Sequence, residues 1–191
     1  MRTILRRGGT SVRIAGLSGV GKTRFAQALF EEASAEHSLD ATLAVYTDIS
    51  FEPIPSPQAL LDELLANNRR AILIVDNCSS ELHRFLTEKC KNSNMVSLLT
   101  IEYDIREDIP DETYVFRMEP ASSELISKVI KQHFPNISQV DASTITHFAE
   151  GNSRVAIALA STLGKGDSLA EIKNDELFRR LFWQKNDENQ S

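Results

Sequence analysis

Residues 16–23 read GLSGVGKT: Gly16, four intervening residues, Gly21, then Lys22 and Thr23. Glycines at that spacing let successive backbone N–H groups turn inward as an anion nest, and a helix opening at the lysine adds the positive end of its dipole. An ammonium in that position suits the β- and γ-phosphates of a nucleotide, and the following hydroxyl suits a magnesium ion. Gly16, Ser18, Gly19, Val20, Gly21, Lys22, Thr23 and Arg24 are therefore the candidate phosphate-binding residues. Downstream, the apolar run ILIVD stops at Asp76. A carboxylate ending a buried strand is the usual second half of such a site, holding Mg²⁺ through water. Asn77 comes next. An amide can orient a water by hydrogen bonding but cannot take its proton at neutral pH. General-base help is typically worth ~10²–10⁴ in rate. Turnover at Lys22, Asp76 and Asn77 should thus be slow, unless another acid such as Glu81 or Glu102 reaches the terminal phosphate.

These residues need elements to hold them. SVRIAGL (11–17) is a short β-branched and apolar run that stops at glycine, which predicts a buried strand leading into the loop. KTRFAQALFEEASAE (22–36) carries a helical stripe at 25, 26, 28, 29 and 33. TLAVYTDI (42–49) predicts a second strand. FEPIPSP (51–57) is excluded from regular structure by three alternate prolines, and Ser56 or Pro57 then opens a helix through Leu60, Leu61, Leu64 and Leu65. AILIVD (71–76) reads as a central parallel strand covered on both faces. Ser79 or Ser80 caps a helix with Leu82, Phe85 and Leu86 inward; MVSLLTIEY (95–103) and TYVFRM (113–118) are the fourth and fifth strands. After Pro120 the spacing is helical throughout, at 122–134, 141–150, 153–164 and 168–183. The pattern predicts an α/β domain over 1–119, a helical lid over 120–183 and a polar tail over 184–191.

Bulk composition narrows the function classes. The chain of 191 residues is 41% hydrophobic and 25% charged with net charge −6, which gives no strong nucleic-acid signal and no bulk attraction to an anionic membrane. Arg2, Arg6, Arg7 and Arg13 cluster near the start and read as a solvated surface. Cys78 and Cys90 show neither metal spacing nor a redox pair, and no apolar run reaches membrane-spanning length, so a reduced cytoplasmic setting is expected. Cys78 reads as a buried small hydrophobe. The four histidines have no ligand-like spacing, no serine has a suggestive histidine partner, and the acidic cluster at 104–112 reads as a solvated loop.

GLSGVGKT, LIVDNC, the LLT ending the fourth strand, the fifth strand running into MEPAS, and EGNSRVAIALA resemble, in order, the nucleotide-binding module of STAND NTPases. These are signalling relatives of AAA+ ATPases that include NB-ARC and NACHT-like domains, and the DNC is most like the bacterial regulators. The resemblance implies a P-loop NTPase fold, a five-stranded parallel sheet in the order 5-1-4-3-2 between helices, followed by the helical lid. It implies ATP and Mg²⁺ as ligands, with Gly21, Lys22 and Thr23 on phosphate and metal, and Thr23 and Asp76 as the magnesium residues. Thr100 would stand on the sensor strand beside the γ-phosphate, although the arginine that often follows is replaced by Ile101, Glu102 and Tyr103, and Arg106 is too far along. The family's G-x-P turn is present as Gly151, Asn152, Ser153, without the proline. GNSRVA also resembles the second sensor of AAA+ proteins, in which case Arg154 would read the γ-phosphate. The implied function is an ATP-driven molecular switch with slow hydrolysis. The alternative is a clamp-loader or remodeller with sustained turnover. Winged-helix or repeat domains of a larger protein are the implied partners, with LFRRLF leading out and Trp183 in the lid, and a nucleotide-dependent homo-oligomer is left open.

Overall fold

The computed structural model describes residues 1–31, 38–102 and 112–163. The helical stripe beyond 31, Tyr103 through Asp111, and everything past 163, including LFRRLF, Trp183 and the polar tail, lie outside the described residues.

In the first of two compact units, Met1–Leu17 with Lys22–Met118, five parallel strands form one sheet. They are β1 (Ser11–Ala15), β2 (Ala44–Asp48), β3 (Ala71–Asp76), β4 (Val96–Glu102) and β5 (Thr113–Arg117), in the spatial order β2-β3-β4-β1-β5. That is the order the resemblance implies, read from the other edge. Every residue of β1, β3 and β4 is buried, as central parallel strands covered on both faces must be, whereas the edge strands β2 and β5 are mostly half-exposed. Helices α1 (Arg2–Leu5), α2 (Lys22–Ala28), α3 (Pro57–Ala66) and α4 (Ser80–Cys90) belong to this unit. Two apolar clusters flank the sheet. One gathers Leu5, Val12, Ile14, Ala26, Ile72 and Leu99; the other Leu61, Leu73, Val75, Leu86 and Leu98. Their alternation along β3 and β4 is the period of two expected of a strand with two buried faces.

Starts of helices follow the capping chemistry. The Ser56 hydroxyl accepts from the Ala59 amide with Pro57 in the first turn, and Ser79 accepts from Leu82. Two expectations need correction. Phe85 is exposed, beneath the Lys89 ammonium, and the inward stripe of α4 is His83, Leu86, Thr87 and Cys90, so a polar ring takes the place given to the phenylalanine. Nor is the N-terminal basic cluster uniformly solvated. Arg13 is 1% exposed on β1 and pairs with Glu102 at 2.7 Å, and Arg2 donates to the Ala28 and Leu29 carbonyls at the end of α2. A four-residue helix, α1, precedes β1 where the sequence carries no strong periodicity. Both cysteines are buried; burial raises both thiols, Cys90 to about 11, so neither is an ionised nucleophile at neutral pH.

The second unit holds Ser18–Gly21 and the residues from Glu119 on. Helices α5 (Ser123–His133), α6 (Gln139–Ala149) and α7 (Ser153–Leu163) pack around Ile126, Ile130, Ile145, Leu159 and Ala160. Ser122 and Ser138 cap α5 and α6 in the same way as Ser56 and Ser79 cap theirs. Among the described residues no helix is long and apolar enough to cross a membrane.

Leu98 is fully buried at the centre of β4, with strands on either side. Leu98→Ala should cost about 2–5 kcal/mol of unfolding free energy, read as a lower denaturant midpoint at unchanged slope.

Candidate nucleotide site

The carboxyl ends of β1 and β3 carry the two halves of the site. They are not neighbours: β4 lies between them. β1 stops at Ala15, and the loop begins with Gly16, where a β-carbon would stand 2.6 Å from the Met118 carbonyl oxygen. At the other end of the loop Gly21 has φ +97°, a conformation that side chains disfavour, and a β-carbon there would project into open space. At Gly21 it is thus the backbone conformation, and not a clash, that disfavours a side chain. The Lys22 ammonium is held against the loop by the Gly16 and Leu17 carbonyls, both at 2.8 Å. Thr23, one residue on, opens its hydroxyl toward β3 and donates to Asp76 Oδ2 at 2.8 Å.

Asp76 is only 5% exposed, and its carboxylate is well supplied with donors. The Tyr46 hydroxyl on β2 donates to Oδ2 at 3.0 Å, and the Asn77 amide donates to Oδ1 at 2.8 Å. Burial, and then the hydrogen bond to Asp76, push the Tyr46 phenol well above its ordinary value, so it stays protonated and remains a donor. Asn77 itself sits in the left-handed region, φ +55°, and its side-chain amide donates to Asp48 Oδ1 at 2.8 Å. Burial pushes Asp48 up, but hydrogen bonds from Asn77 and Ser50 outweigh it and hold the carboxylate below its ordinary value. A hydroxyl and a carboxylate meeting at a strand end are hard oxygen donors of the kind Mg²⁺ takes, so Thr23 and Asp76 fit that ion.

The remaining expected residues have their own surroundings. Thr100 is fully buried on β4, where its hydroxyl donates to Glu102 Oε1 at 3.3 Å and stands 2.8 Å from His83 Nδ1. Arg24 is exposed and its guanidinium is held by Glu31. Glu102, a candidate base, is 1% exposed and paired with Arg13, while Glu81 lies exposed in the first turn of α4. Sequence reasoning did not single out Tyr46 or Asp48. Their only local signal is the strand TLAVYTDI ending in an acid, and their roles depend on β2 pairing with β3 in the register Asp48↔Asp76.

Within the second unit, the loop tip Ser18–Gly21 meets the start of α7. Asn152 Nδ2 donates to the Ser18 carbonyl at 2.9 Å, and the Arg154 amide to the Gly19 carbonyl at 3.3 Å. Asn152 Oδ1 accepts from the Arg154 and Val155 amides, which makes it the N-cap of α7. Asn152, the middle residue of the Gly151–Ser153 turn, thus has two tasks, and Arg154 is exposed beside it.

No protein-family profile matches the sequence, and no curated protein sequence does either. Solved structures do match. A STAND protein with a tetratricopeptide-repeat sensor from Pyrococcus horikoshii superposes with TM-score 0.56 at 11% identity, covering 95% of this chain and 31% of that one. PCH-2 of C. elegans gives 0.57 at 11%, covering 90% and 60%. The Orc1 protein of Aeropyrum pernix, solved with DNA, gives 0.57 at 13%, covering 93% and 60%. The fold is that of the P-loop NTPase module shared by STAND and AAA+ proteins. The chain spans between about a third and three fifths of the length of these three neighbours.

Asn152→Ala removes both the cap and the contact to Ser18. It should lower stability by about 1 kcal/mol and speed amide exchange in residues 18–21, measured by thermal unfolding and hydrogen exchange.

Proposed function

We propose that this chain is an ATP-binding switch module that hydrolyses its nucleotide slowly in the presence of Mg²⁺. The observation that carries the reading is the convergence of Thr23 and Asp76 from two non-adjacent parts of the sheet, beside a lysine held on a glycine loop. The amides of residues 16–23 would cradle the phosphates, with Lys22 on the outer ones. Thr23 and Asp76 would hold Mg²⁺, which when bound screens the charge between β- and γ-phosphates. Tyr46 and the Asn77 amide orient the Asp76 carboxylate by occupying its other lone pairs.

A switch needs a contact that differs between triphosphate and diphosphate. Arg154 is the candidate: it is exposed, it opens α7, and its own amide rests on the Gly19 carbonyl of the loop tip. A cation in the first turn of a helix runs against the dipole, a cost that a bound phosphate would offset. The nucleotide state would then bias the lid helices and any neighbouring domains of a larger protein, such as winged-helix or repeat modules, in a signalling, regulatory or defence role inside the cell. The likeness to a STAND protein and to AAA+ proteins supports the ATPase class.

Lys22→Ala should abolish ATP binding, and Asp76→Asn should remove its dependence on Mg²⁺, both measured by equilibrium titration with and without the metal. Wild-type affinity in the lysine variant would rule the site out. Steady-state turnover well above about 1 s⁻¹ would reassign the chain to the remodelling ATPases.

A further inference from the structure

Among the described residues, Asn77 cannot take a proton from water, Glu102 is committed to Arg13 in the core, and Glu81 lies exposed in the first turn of α4. The neighbouring strand supplies a third acid. Asp48 ends β2 directly opposite Asp76, in register, on strands that run about 4.8 Å apart. Its carboxylate is aimed by two donors, the Asn77 side chain at 2.8 Å and the Ser50 amide at 2.9 Å, and both go to Oδ1. Oδ2 takes neither of them. The carboxylate therefore stands one hydrogen bond away from the residue that occupies the water-activating position, on the same strand-end surface as Asp76.

We propose that Asp48 is the general base of this site, and that Asn77 is the positioning residue that holds it. The inference rests on the nucleotide reading above. In the reaction a water oxygen bonds to the γ-phosphorus as the bond from that phosphorus to the β-bridging oxygen breaks. One water proton passes to Asp48 Oδ2 and then to solvent, and the diphosphate leaves with the electron pair of the broken bond. The acid and the amide have exchanged strands: the carboxylate is on β2 and the amide follows β3. Because hydrogen bonds from Asn77 and Ser50 hold the Asp48 carboxylate below its ordinary value, it is a weak base, and the arrangement favours slow hydrolysis without abolishing it.

Asp48 also accepts from the Ser50 amide as the cap of a short 3₁₀ turn, Ile49–Phe51, and that duty alone would explain an acid here. The two roles separate cleanly, since asparagine caps as well as aspartate but cannot accept the proton. The test is single-turnover hydrolysis of Mg·ATP beside equilibrium ATP binding, for the parent chain, Asp48→Asn, and the double variant Asp48→Asn with Asn77→Asp. Asp48→Asn should keep its melting temperature and bind ATP within about threefold of the parent, while hydrolysis falls about 10²-fold or more. The double variant, which returns a carboxylate to the other strand, should recover much of that loss. Parent-like hydrolysis in Asp48→Asn would overturn the proposal, as would a parent that binds ATP and never cleaves it. A double variant as slow as the single one would also count against it. A parent that binds no ATP at all would instead remove the site itself, and Asp48's role with it.

Discussion

The bond from the Thr23 hydroxyl to the Asp76 carboxylate is the constraint around which the first unit is arranged. The two residues are 53 apart in sequence; Asp76 ends β3, and Thr23 stands in α2, which follows β1, a strand that does not pair with β3. Two strand spacings, about 10 Å, separate β1 from β3, and the bond from Thr23, in the first turn of α2, to Asp76 spans them. That crossing works only if three things hold together. β1 must stop at Ala15 so that the loop can turn; α2 must begin at Lys22 so that Thr23 faces β3; and β3 must end in an acid that is buried yet fully hydrogen-bonded. A buried carboxylate without donors would cost several kcal/mol. Here Thr23, Tyr46 and the Asn77 amide supply three, and each comes from a different element.

How much of this could be read from sequence depends on how local each feature is. The phosphate loop is eight contiguous residues, and its chemistry is carried by residue types alone. The place of Asp76 at the end of a buried strand was equally legible, because an uninterrupted apolar run of that length is what a central parallel strand requires. The serine caps at 56 and 79 were also visible, since a cap is a bond across three residues. What escaped were pairings fixed by register or by distant contact. Arg13 looks like a fourth member of a basic surface cluster until β1 is laid beside β4, where it meets Glu102. Tyr46 and Asp48 are ordinary strand residues until β2 is aligned on β3. Asn152 and Ser18 are 134 residues apart, and nothing at either position announces the other. Strand order was legible only through the resemblance to a known module, because periodicity identifies strands and says nothing about which lies next to which.

From half-buried Thr113 a chain of polar groups runs into the core: Thr113 to His83, His83 to Thr100, Thr100 to Glu102, and Glu102 to Arg13. If Thr100 donates to Glu102, it must accept from His83 Nδ1, which leaves Nε2 to accept from Thr113 and, at 3.4 Å, Thr87. One neutral tautomer then satisfies every link. Stability alone does not account for such a chain, since well-packed apolar residues often do as well as a buried ion pair. What the chain supplies is register. It joins β5, α4, β4 and β1, and a slip of one residue would turn Thr100 and Glu102 to the opposite face of the sheet, leaving Arg13 and His83 without their partners. β4 is the strand over which Thr23 must reach Asp76, and it is otherwise lined by interchangeable apolar residues such as Leu98, Leu99 and Ile101. A polar lock on that strand fixes its height beneath the crossing, where an apolar core would tolerate a shift. The buried charges and the Thr23–Asp76 bond are thus two parts of one geometric requirement, met once inside the sheet and once at the carboxyl ends of its strands.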